Sequence, residues 1–388
     1  MTKSRRRRHT VIALASRLPL KGSQSRPLRP TVGPDFMLVY WAMFAVPALS
    51  AFLGDAQQPG ALRRQQVGLG LLLLAFVILV GARYEVGGDW FAYEEIVEFV
   101  RHEKLSTSLE HGDPGFQIVT WVMTRLGFGS VGPSSFCGAI LIYGIWRFIK
   151  PMPDPWLALT AAVPYLIIVV GMGYVRQGAA IGFILLAILQ FEQSRWFHFC
   201  KWFALAVMFH VSSLAVLPIA ALVIVRKQPL AFVPVAIAGA TLYALLLAPR
   251  MDRLYNNYIV AEYDSSGALV RLAMNAVPAV LFLVLRKRFS TTDTARAWWA
   301  LIALLSLFLV VLVLTSPATT ALDRIGLYCI PIQLFVFGNL STVCTTTVQG
   351  RRLLTFSVIT YYAAAMFIWL NYATHSSSWI PYRFQPLA

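Results

Sequence analysis

Long apolar runs alternate with short polar interruptions along almost the whole chain. They fall at about Phe36 to Leu53, Val67 to Ala82, Val131 to Ile149, Trp156 to Met172, Tyr174 to Phe191, Pro229 to Ala248, Leu269 to Leu285, Trp298 to Ser316, Ile325 to Val343 and Leu353 to Tyr372. Each approaches the ~20 residues that a helix needs to cross a ~30 Å hydrocarbon layer. Leu71 to Val80 and Leu301 to Leu314 are apolar on every face, unlike the alternating strands of a membrane β-barrel. The pattern predicts an all-α fold, a polytopic transmembrane helical bundle of about 10–12 membrane segments. Between Trp202 and Val225 the run is interrupted by Phe209-His210-Val211-Ser212-Ser213, which fits either one span or two half-helices meeting around His210.

The longest polar interruption, residues 83–130, follows the second run and opens on Arg83-Tyr84-Glu85-Val86-Gly87-Gly88-Asp89-Trp90-Phe91-Ala92-Tyr93. The two glycines permit a turn with either sign of φ, and Asp89 is placed to cap a helix from Trp90 to Glu103. Asp113-Pro114-Gly115 reads as a second helix start, Asp as cap and Pro in the first turn. The helix it starts, Phe116 to Leu126, is amphipathic, too short to span, and ended by Gly127.

Composition agrees with the pattern: 58% apolar, 13% charged, mean hydropathy +0.65. The net charge of +16 changes the picture less than it promises, because nine of the 33 Lys and Arg residues lie in the first 30 positions, where Asp and Glu are absent. Residues 1–34 read as a basic, disordered tail suited to anionic membrane lipids, 35–375 as the transmembrane domain, and 376–388 as a C-terminal tail. No basic folded module for nucleic acid is seen. Residues 1–34 also lack the apolar core and cleavage site of a secretory signal. Acid is concentrated instead: eight of the 17 carboxylates fall between Glu85 and Asp113. Cys137, Cys200, Cys329 and Cys344 show no paired spacing and imply neither a disulfide framework nor a metal site.

Positive charge in short loops orients the bundle. Arg147 with Lys150, Arg226 with Lys227, Arg286 to Arg288 with Arg296, and Arg351 with Arg352 mark cytoplasmic turns. The loop from Asn256 to Gly267, the Asp323-Arg324 turn and the C-terminus then lie outside. Arg176 and the acidic loop join them if the piece around His210 enters and leaves on one side. The same count puts the basic N-terminus outside, against the rule, which is resolved if the natural start is Met37 or if the first run does not cross.

An ionisable residue in an apolar segment costs a few kcal/mol unless paired or hydrated. Arg176 is the clearest, with Gly178 and Gly182 on a small-residue face where a neighbouring helix can approach. It is suited to gripping a phosphate bidentately, or to snorkelling at a helix end. His210, beside Ser212 and Ser213, is suited to orienting a substrate or to bonding a carbonyl at a helix break. Arg324 opens a span four residues before Tyr328, either free for substrate or held by Asp323. Phosphate-cradling glycine loops, His-Glu-x-x-His and Gly-x-Ser-x-Gly are missing, so ATP-driven transport and metal hydrolysis have no support and no cofactor is expected.

In order along the chain, these elements resemble the EpsG family of Wzy-like exopolysaccharide polymerases. Arg83-Tyr84 with Gly87-Gly88-Asp89-Trp90 and Tyr93 is similar to its arginine-tyrosine, glycine-x-aspartate-aromatic signature. Asp113-Pro114-Gly115-Phe116, Arg176-Gln177-Gly178, Phe209-His210, Arg324, and Ile380-Pro381-Tyr382-Arg383-Phe384 match its later elements. Gly88 stands where the family more often has threonine, and Arg383 where it has lysine. The resemblance implies an inner-membrane enzyme joining oligosaccharide repeat units carried on polyprenyl pyrophosphate, working with a flippase and a chain-length regulator. It further implies Asp89 as base, with Glu94 or Glu95 behind it, and His210 as an orienting group. Arg176 and Arg324 would bear on the departing pyrophosphate, with Arg83 a third. Tyr84, Trp90, Tyr93, Glu94, Gln177 and Tyr328 would line the substrate. A transporter of a lipid-linked or anionic saccharide and a membrane acyltransferase are the alternatives from other classes.

Overall fold

The computed structural model describes residues 37–54, 61–227, 229–248 and 267–385. The basic tail, the start at Met37 as set against the residues before it, and the loop from Asn256 up to Gly267 therefore lie outside the described residues. Helices follow the apolar runs: α1 (Leu38–Leu53), α2 (Ala61–Gly81), α3 (Trp90–His102), α4 (Leu105–Leu109), α5 (Pro114–Arg125) and α6 (Val131–Ile149) come first. Next are α7 (Pro155–Gly173) and α8 (Val175–Glu192). They are followed by α9 (Trp196–Phe209), α10 (Leu217–Lys227), α11 (Pro229–Leu242), α12 (Ala268–Leu285) and α13 (Asp293–Val313). The last two are α14 (Thr319–Cys344) and α15 (Val348–Tyr372). Among the described residues, six helices (α7, α8, α12, α13, α14 and α15) are long and apolar enough to cross a membrane, and shorter apolar helices accompany them.

The bundle is built around α7 and α8. The most apolar stretch of α7 is buried throughout, covered by α1, α14 and α15. Pro164 lacks the N–H that an α-helix needs, and from Val163 to Val170 the helix widens to π geometry. α8 packs between α6 and α9, and α6 is flanked by α2. The crossing of α8 with α6 depends on Gly182: a Cβ there would stand 2.6 Å from the Ile140 carbonyl, and Gly144 faces Gly182 across the contact. The expected close approach is thus made at Gly182, whereas Gly178 has only ordinary contacts. Along α8, Arg176 and Glu192 lie ~24 Å apart at 1.5 Å per residue. Glu192 accepts the Trp299 indole N–H, and Phe148 at the end of α6 packs on the same indole. These contacts sit at the end of the bundle holding Lys150 and Arg296, opposite Arg176.

The segment around His210 is broken. α9 stops at Phe209, His210 is extended (φ −157°, ψ 116°), and a 3-10 turn from Val211 to Val216 leads into α10. The C-terminal tail is docked rather than loose. Phe384 pairs with Arg83 in an antiparallel bridge, the Tyr84 and Gln385 amides donate to the Arg383 and Ala82 carbonyls, and Gly87 donates to Ser378 O. Trp379 is buried, its indole N–H on Ile168 O, and the Tyr40 hydroxyl donates to its carbonyl. Gly87 has φ +108°, and any Cβ there would collide with the Met172 carbonyl, so glycine is required for this turn.

Candidate active site

The tail and the π-distorted α7 hold the polar loop against the start of α8, and the candidate residues divide there into two groups. Arg83 is completely buried: its Nε and Nη1 donate to the Val86 and Val80 carbonyls at 2.9 and 2.6 Å, and it lies over the Trp90 ring. Trp90 is buried in turn against Tyr84. These three pack together within the loop, and Arg83, expected to face the substrate, has no exposed surface in this arrangement. Glu94 and Glu95 are exposed and line a separate cleft with Glu98 and Arg101.

The second group converges. Arg176, in the first turn of α8, donates from Nη1 to Asp113 Oδ2 at 2.9 Å. The same carboxylate oxygen lies 3.5 Å from His210 Nδ1. The guanidinium is flanked by the rings of Tyr93 and Phe116, and the Arg176 backbone N–H reaches the Tyr93 hydroxyl at 3.5 Å. Gln177, the next residue, ties in α14: its Nε2 donates to Arg324 O at 3.0 Å, and Arg324 Nη1 donates to Gln177 Oε1 at 3.3 Å. Arg324 lies over the Tyr174 ring, 4.1 Å from its centroid. Tyr328, one turn further on, meets Ser212 Oγ at 3.0 Å and accepts from Ser213 Oγ at 3.1 Å, joining α14 to the break after His210.

Both expected aspartate caps are corrected. Asp89 and Asp113 occupy N-cap positions, but neither side chain accepts a capping hydrogen bond. Asp113 is turned to Arg176 and His210 instead, an attraction that outweighs a cap worth ~1 kcal/mol. Asp89 lies within the fields of Arg324, Arg176 and His210, while burial raises its carboxyl pKa above the ordinary aspartate range. Asp323 and Arg324 each reach another helix. Asp323 accepts from Arg271 Nε and Nη2 at 2.8 and 3.0 Å, and Arg324 turns toward Gln177.

Sequence reading missed Asp113 as a site residue because Asp-Pro-Gly at a helix start has a complete local explanation as a cap. It also passed over Arg271, although an arginine as the third residue of an apolar run was signal enough. The assembled site has two arginines from separate helices, two carboxylates, a histidine and a tyrosine-serine cluster. Such an arrangement can bind a polyanion, accept a proton and hold hydroxyl-bearing groups.

The sequence model of the EpsG family matches residues 69–384, most of the chain. The chain belongs to the EpsG family. The match begins within α2, so α1 lies before it, and it ends at Phe384 in the docked tail. No curated protein and no solved structure matches. EpsG membership and the helices together make this a multi-pass membrane protein and support, in general terms, a membrane polysaccharide polymerase.

Proposed function

We propose that this EpsG protein joins oligosaccharide repeat units carried on polyprenyl pyrophosphate, at the outer face of the bacterial inner membrane. The observation that carries the reading is the convergence of Arg176 and Arg324 with Asp89, Asp113 and His210 at one end of the bundle. Positive charge aimed where a leaving group becomes more anionic lowers the barrier to its departure.

In this reaction a hydroxyl oxygen of one unit attacks the anomeric carbon of another. The bond from that carbon to the pyrophosphate oxygen breaks and its electron pair leaves with the lipid pyrophosphate. The hydroxyl proton passes to Asp89, whose raised pKa suits a base working closer to neutrality. Arg176 and Arg324 bear on the departing pyrophosphate. Asp113 fixes the Arg176 guanidinium and lies beside the imidazole of His210, which orients rather than reacts. The activated sugar-pyrophosphate bond supplies the driving force, so ATP is not required.

The test gives purified protein, in liposomes without ATP, a lipid-linked repeat unit and measures the product chain lengths. A ladder of multiples that disappears with Arg176→Ala is expected. Substrate moved to the opposite leaflet, or acylated, with no ladder would replace this reading with transport or acyl transfer.

A further inference from the structure

A second cavity adjoins the arginine site and plays no part in the scheme above. It holds about 290 Å³, at the lower end of the ~300–1,000 Å³ of small-molecule pockets, between the start of α12, the end of α15 and the π turn of α7. Its walls include Tyr165, Tyr174, Arg271, Trp369, His375 and Trp379. Tyr174 is shared: one face of its ring carries Arg324, and the residue also lines the cavity. Arg271 is fixed by Asp323, the neighbour of Arg324, so both cavity and arginine site hang on the same turn of α14.

Tyr165 supplies the pointer to a ligand. The residue is 5% exposed, and its hydroxyl is buried without a hydrogen-bond partner. A buried hydroxyl left unpaired is unfavourable, and native proteins rarely retain one without a reason. A prenyl chain offers such a group nothing. A saccharide offers hydroxyls to Tyr165 and Arg271 and apolar C–H faces to the tryptophan rings.

We propose that this cavity is the subsite for a sugar residue of the acceptor unit, seated beside the pyrophosphate-binding arginines with Tyr174 as the partition. The proposal rests on the polymerase reading for the word acceptor, but saccharide binding itself is measurable without catalysis.

The experiment measures equilibrium binding of two probes to the purified full chain: the repeat-unit oligosaccharide released from its carrier by mild acid, and a polyprenyl phosphate bearing no sugar. Tyr165→Phe, which removes one oxygen and keeps the ring, should weaken oligosaccharide binding about tenfold, as expected for one hydrogen bond, and leave polyprenyl phosphate binding unchanged. Trp369→Leu should weaken the oligosaccharide further. Oligosaccharide binding unaffected by either substitution, or absent from wild-type protein, overturns the subsite. Loss confined to polyprenyl phosphate overturns it in favour of a carrier-lipid pocket. Tyr165-dependent saccharide binding by a protein that builds no ladder would sink the polymerase reading and keep the subsite.

Discussion

Replacing Arg176 separates the two duties proposed for it, holding the fold and acting on substrate, when the change is combined with one at Asp113. The Asp113 side chain is 5% exposed and that of Arg176 32%, with 2.9 Å between Nη1 and Oδ2. Removing one partner of a fully buried pair costs ~3–5 kcal/mol. Water reaches this arginine, and His210 stands beside the stranded carboxylate, so Arg176→Ala should cost about 2–3 kcal/mol. Asp113→Asn keeps the shape and one acceptor but loses the charge, and should cost about 1–1.5 kcal/mol. The double variant strands no charge, so it should be destabilised by at least 1 kcal/mol less than the sum of the two singles, well outside the ~0.5 kcal/mol scatter of additive sites. Denaturant unfolding in detergent measures all three. Polymerisation should divide differently: about 10²–10³-fold slower with Arg176→Ala and with the double variant, and about tenfold slower with Asp113→Asn. Additive stabilities would refute the pairing argument. A double variant that regained both stability and ladder formation would show that Arg176 acts only as a brace.

Acid should silence the enzyme earlier than an ordinary aspartate would. The base proposed here, Asp89, can take a proton only when ionised, and burial raises its pKa, so the acid limb of the pH–rate profile should lie above the ~3.9 of a free aspartate and vanish in Asp89→Asn. Gly182→Ala should force α6 and α8 apart, because the new Cβ meets backbone 2.6 Å away; a loss of about 1–3 kcal/mol by denaturant unfolding is expected. Gln333→Leu breaks a buried chain in which Gln333 donates to Asn275 Oδ1 and accepts from the Tyr362 hydroxyl, both at 2.6 Å. With membrane hydrogen bonds averaging ~0.6 kcal/mol, a loss of about 1–2 kcal/mol is expected. Unchanged unfolding would mean that water or backbone replaces both bonds.

Membrane segments could be read from the chain because hydrocarbon admits few alternatives to an apolar helix, and the helices lie close to the runs. Arg176 and the break at His210 were legible for the same reason: each is an exception that a bilayer makes conspicuous. Partners were not. Asp323 beside Arg324 looks local, yet its carboxylate reaches Arg271, 52 residues away in sequence. Asp113 and Arg176 are 63 apart. Arg83 misled in the opposite direction, since a cation at the edge of a span has the same sequence appearance whether it faces substrate or braces carbonyls. Pairing across such distances is decided by how helices stack, and hydropathy patterns do not carry that information.

The docked tail bears on how the protein is made. Glu85 pairs with Arg383 across 298 residues, and Tyr40 waits for Trp379 across 339. During synthesis the acidic loop is therefore delivered long before the C-terminal segment that docks against it, and the early helices must insert and persist with that seam open. Full-length insertion and acquisition of activity become separate events. A nascent chain arrested before Trp379 should be membrane-integrated and largely helical, with its loop accessible to protease, and closing of the seam should mark the moment of maturation.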